Sequence, residues 1–138
     1  CLADVEPQAV AVSFDSAAVA EAIDCSVLQK IALRPAAQAE MLQAFNFHNR
    51  NDMVNLYAAL QDANPAVVAN SAHRIKGASY MVGALPVSEV AALIETAVSQ
   101  GNMALAKQLA HTRLNVAVQQ LEAAIHLFSN RHESVIKA

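Results

Sequence analysis

Residues that break regular backbone are few in this chain, and they stand far apart. It has 3 glycines and 4 prolines in 138 residues. Asn64-Pro65 reads as a helix start, with Asn as N-cap and Pro at the first helical position. Gly83 ends that segment, Pro86 opens the next, Gly101 closes it and Asn102 can cap the last. Between these breaks the chain is rich in alanine and shows no strand-length alternation, so the segments read as helices. Long helices are expected over roughly 36–63, 65–82, 86–100 and 103–130. A shorter one enters at Ile23 to Leu28, capped by Asp24 or Ser26, and stops before Pro35. Four long helices joined by short loops run antiparallel to their neighbours. The expected fold is therefore all-α: an up-down-up-down antiparallel four-helix bundle with a short extra N-terminal helix.

Apolar spacing supports this layout. Leu42, Phe45, Asn49, Met53, Leu56, Leu60 and Ala63 keep a three-four spacing in the first long helix. Leu114, Val118, Leu121, Ile125 and Phe128 form the corresponding seam in the last. The stretch from Asn46 to Asp52 is Asn-rich and weak in helix propensity. Residues 1–22 read as a linker or N-terminal extension, 23–130 as the bundle and 131–138 as a polar C-terminal tail. The chain begins with Cys1 rather than Met, which reads as a fragment of a longer protein.

Composition excludes several function classes. A net charge of −3 offers no basic face for nucleic acid. No apolar run reaches membrane-spanning length, so no direct membrane contact is expected. Cys1 and Cys25 have neither metal nor redox spacing, and a reducing, cytoplasmic compartment is the default reading. His48, His111, His126 and His132 lack paired spacing and a partner cluster, so no metal site is expected. The glycines are too few and too scattered for a phosphate-cradling loop of the nucleotide-binding kind.

The helix that follows Pro65 carries the one constellation with chemical content. At about 100° per residue, Val68, Ala72, Ile75, Ser79 and Val82 form a core stripe opposite His73. Ala66, Ala69, Asn70, Lys76, Gly77 and Tyr80 surround His73 on the outer face. A neutral imidazole is a good nucleophile near neutral pH. A lysine one turn away can offset the charge of a phosphoryl group on the ring. A glycine at the same distance leaves bare backbone where another protein could approach. Gly77 has an alternative role in helix packing, and Tyr80 could equally be a half-buried bundle residue.

Ala72-His73-Arg74-Ile75-Lys76-Gly77-Ala78-Ser79, followed by Val82-Gly83-Ala84, resembles the signature of histidine phosphotransfer domains. The Ile94-Glu95 pair in the next helix also matches, and the resemblance spans roughly residues 23–128. Ile75 stands where leucine is more usual, and the Asn-rich stretch and the first twenty residues lie outside the pattern. The resemblance implies a phosphorelay intermediate. His73 would be the phosphoacceptor, Lys76 the charge-steadying residue and Gly77 the point of close approach. Glu95 would lie near the imidazole; Ala69, Asn70 and Tyr80, which the helical wheel places around His73, would line the binding surface. Response-regulator receiver domains would act as donor and acceptor, and they would bring the magnesium, with no cofactor on this chain. Such domains make no phosphate of their own and often form the C-terminal part of membrane-bound hybrid sensor kinases. The rival reading is a helical interaction module with a vestigial histidine motif. A dimerising phosphoacceptor region of a kinase would need an ATP-binding domain, for which 138 residues leave no room.

Overall fold

The computed structural model describes residues 16–137, with side chains described for 17–130. Two short helices, α1 (Ser16–Glu21) and α2 (Cys25–Ile31), precede two long ones, α3 (Pro35–Gln61) and α4 (Pro65–Met81). α5 (Leu85–Ser99) follows. The last helical stretch is divided into α6 (Met103–Leu109), a π-helical turn (Ala110–Leu114) and α7 (Asn115–Lys137). Among the described residues there is no strand.

The breakers act where the sequence places them. Asp24 caps α2 by accepting from the Ser26 amide at 3.0 Å. Asn64 and Asn102 cap α4 and α6 by accepting from the Val67 and Leu105 amides. Gly83 and Gly101 take left-handed φ values of 81° and 73°. These let the Ala84 and Asn102 amides reach back to the Ser79 and Ala97 carbonyls at 2.8 Å, closing the helix ends. α3 ends with the same bond, from the Asn64 amide to the Ala59 carbonyl at 2.9 Å. There Ala63, not a glycine, carries the positive φ of 51°. Connections of three residues (62–64, 82–84 and 100–102) leave the long helices side by side: α3 against α4, α4 against α5, and α5 against the final stretch, which returns to α3.

Both predicted stripes are inside except for Ala63, which lies past the end of α3 and is exposed. Leu42, Phe45, Met53, Leu56 and Leu60 of α3 meet Leu114, Val118, Leu121, Ile125 and Phe128 of the last stretch in one core. That packing holds the Asn-rich part of α3 helical against its weak propensity. Three expectations are corrected. Of residues 1–22, read as a linker or N-terminal extension, the last part is helical: α1 begins at Ser16, packs against α7 and buries Val19, with Ala22 and Ile23 just beyond it. The part of that expectation covering residues 1–15 lies outside the described residues. The polar tail does not leave the helix, because α7 runs to Lys137. The last helix is also not uniform. Its π-turn widens the backbone at Ala110, whose carbonyl accepts the Asn115 amide and also the Tyr57 hydroxyl from α3 at 2.7 Å. The Tyr57 and His111 rings lie beside this bond, with centroids 5.0 Å apart.

Candidate functional site

α4 is rotated by its own apolar stripe. Val68, Ala72, Ile75 and Ser79 are buried, together with Ser71, and Val82 is buried just past the helix end. The opposite side is left to solvent. His73 stands at its centre with its side chain 70% exposed. The exposed residues Asn70, Gly77 and Tyr80 share that side, and Ala69 and Lys76 are half-buried at its edges. Of the two readings for Tyr80, the exposed one holds. Gly77 packs against no neighbour: a Cβ built there meets nothing within 4 Å. Its helix-packing role is thereby removed.

α5 supplies the carboxylate. Ser88, in its first turn, donates its hydroxyl to the Lys76 carbonyl at 3.0 Å and ties the two helices together. Two turns further along, Glu95 reaches the histidine. Its carboxylate oxygens lie 3.3 and 3.4 Å from His73 Nδ1. These distances are long for a charge-assisted bond but fall on one ring nitrogen. A carboxylate has no proton to give, so the contact favours the tautomer with the proton on Nδ1. The lone pair is then on Nε2, at the exposed edge of the ring. The same carboxylate takes the Lys76 ammonium, with Nζ 2.9 Å from Oε1. One carboxylate therefore holds both the imidazole and the lysine.

A second ion pair lies on the other flank of His73. Arg74 Nε is 3.2 Å from Asp52 Oδ1, joining α4 to α3. Nothing in the sequence links the two residues. They stand in different helices, and the only local signal was a cation next to the histidine. A groove of about 380 Å³ is lined by this pair together with Asn55, Asp62, Asn70 and Ser71 among others. Among the described residues, no three His, Cys, Asp or Glu side chains are grouped to hold a metal ion. No helix among them is long and apolar enough to cross a membrane.

What this arrangement can do chemically is narrow. It offers an exposed imidazole whose Nδ1 faces a carboxylate, a cation within a turn and open backbone on one side. Known proteins point the same way. A search of curated proteins finds no match. Among solved structures, the fold is similar to histidine-containing phosphotransfer protein B (HptB) from Pseudomonas aeruginosa PAO1, with a TM-score of 0.66 at 21% identity. That similarity covers 82% of this chain and 96% of the other, and at this identity it speaks for the fold. The family model for the Hpt domain matches residues 40–126, which include α4, the exposed histidine and Glu95. The chain belongs to the Hpt domain family.

Proposed function

We propose that this chain is a phosphorelay intermediate in which His73 takes a phosphoryl group from the aspartyl phosphate of one receiver domain and gives it to the aspartate of another. The observation that carries this reading is the ring geometry: Nδ1 faces the Glu95 carboxylate while the side chain is 70% exposed. The Nε2 lone pair attacks phosphorus in line, and a nitrogen–phosphorus bond forms as the aspartyl oxygen–phosphorus bond breaks. The receiver carboxylate leaves with the bonding electron pair and is restored as aspartate. The ring keeps its Nδ1 proton and becomes cationic, and the Glu95 carboxylate beside it balances that charge. Lys76 supplies positive charge to the phosphoryl oxygens. Magnesium belongs to the receiver's own acidic site. The reverse sequence, with a second receiver aspartate as nucleophile, passes the group on.

On this reading the chain is a carrier and not an autonomous kinase. It works in the cytoplasm, as part of a larger sensor kinase or beside one. The deciding experiment is incubation with a phosphorylated receiver domain. Wild type should acquire an acid-labile, base-stable label. His73→Gln should stay folded by circular dichroism and acquire none. A label retained by that variant, on any other residue, would overturn the assignment. A folded wild type that binds receivers and takes no label would favour an interaction module with a vestigial motif.

A further inference from the structure

The two ion pairs flanking His73 differ in a way that charge balance alone does not require. On the α5 side, the Lys76 side chain is 35% exposed and its ammonium lies on Glu95. On the α3 side, the Arg74 side chain is 72% exposed although its partner Asp52 is only 8% exposed. Asp52 is fixed in the α3–α4 interface and cannot follow a moving cation outward, so it acts as an anchor. Arg74 is held at Nε while most of its side chain stays in water, immediately after the histidine in sequence. A guanidinium that is partly immobilised beforehand loses less freedom when it binds, and its planar fork matches a carboxylate.

We propose that Arg74 is a specificity-determining contact: anchored by Asp52, it presents its guanidinium to a carboxylate on the rim of the incoming receiver domain and so favours receivers with an acidic rim. This rests on the reading that His73 exchanges phosphoryl groups with receivers. The groove that Arg74 and Asp52 line also holds Asn55, Asn70 and Ser71, which are neutral donors and acceptors, and the carboxylate of Asp62. Lys76 is less suited to the task, because Glu95 already occupies its ammonium.

The test uses the full chain and a panel of purified, phosphorylated receiver domains whose rims around the phosphorylated aspartate carry from none to several acidic residues. Phosphoramidate, a donor with no protein surface, serves as the control. Arg74→Gln is made in an Asp52→Asn background, so that no buried charge is left alone, and Arg74→Lys is made singly. The double variant should melt as a folded protein and label from phosphoramidate at the wild-type rate. Its KM for acidic-rim receivers should rise about tenfold, the scale of one lost charge-assisted bond. Its kcat should hold, and KM values across the panel should converge. Arg74→Lys should recover part of the loss. Unchanged KM for every receiver would overturn the proposal, as would an equal fall in phosphoramidate labelling, which would place Arg74 in the chemistry of His73. If wild type takes label from no receiver, the phosphorelay reading falls and this one with it. If wild type is labelled and the variants match it, only this one falls.

Discussion

Gly77 separates what the helix wants from what the proposed partner wants. A Cβ at this position meets nothing within 4 Å, and the residue is exposed within α4, four residues before its end. Gly77→Ala therefore removes no contact and creates no clash. What remains is backbone entropy, worth about 0.8–1 kcal/mol in a helix interior. With an unfolding entropy of about 2.1 cal/mol/K per residue, a chain of 138 residues should gain about 3 °C in Tm. Gly77→Gln should keep about half of that gain, since glutamine is a good helix former but less so than alanine. The two variants should part company in transfer. A methyl group intrudes little beside His73, so Gly77→Ala should accept phosphoryl from a receiver at close to the wild-type rate. The glutamine side chain projects into the approach path, and transfer should fall by about an order of magnitude while phosphoramidate labelling continues. Thermal melts monitored by circular dichroism and timed transfer from a phosphorylated receiver read the two effects separately. A lower Tm for Gly77→Ala would refute the structural premise that this face is open. Wild-type transfer by Gly77→Gln would refute the close-approach role.

Three further substitutions test the frame that holds the site. Ala63 carries a φ of 51° at the end of α3, where glycine would be unstrained, so Ala63→Gly should raise stability by about 1 kcal/mol in urea melts. Tyr57→Phe removes the hydroxyl bond to the Ala110 carbonyl, which still accepts the Asn115 amide, so the loss should be about 0.5–1.5 kcal/mol with transfer preserved. The Asp24 carboxyl is held below its ordinary range, first by its hydrogen bond from the Ser26 hydroxyl and then by the Ser26 amide. A carboxyl depressed in the folded state stabilises above its unfolded pKa, and that contribution is lost as pH falls through the folded value. Asp24→Asn, which keeps a capping oxygen, should therefore show a shallower loss of stability than wild type on the acid side. Parallel curves for the two proteins would refute the contribution of the Asp24 charge.

The elements whose signals are local could be read from the sequence. Asn64-Pro65, Gly83, Gly101 and Asn102 act through their own backbone and nearest neighbours, so each boundary falls within a residue or two of expectation. The stripe of Val68, Ala72, Ile75 and Ser79 sets the rotation of α4 and with it the exposure of His73. Features decided at a distance were not legible. The six residues of α1 show no period of their own, and Val19 is buried because α7 lies alongside. The π-turn at Ala110 is braced by Tyr57, which lies 53 positions earlier. The Arg74–Asp52 pair needs α3 and α4 already packed before either residue has a partner. Glu95 falls between these cases. Its helix was predicted from Pro86 and Gly101, but only the resemblance to histidine phosphotransfer domains suggested that it would reach the histidine.

The shared carboxylate suggests why such a site can both take and release a phosphoryl group. Before transfer, the Glu95 carboxylate faces both the Lys76 ammonium and His73 Nδ1. On the proposed chemistry the ring becomes cationic when Nε2 binds phosphorus, and Glu95 then gains more from Nδ1 than from Lys76. The lysine is released at the moment when phosphoryl oxygens arrive within reach. When the group departs, the ring returns to neutrality and Lys76 returns to Glu95. Each charge that appears thus finds a counter-charge already in place, and neither state leaves an ion of the site alone. A permanent, exclusive bond between Glu95 and either cation would deepen one state at the expense of the other. A carrier needs the two states close in free energy, because a large preference for either would stop the relay at that step.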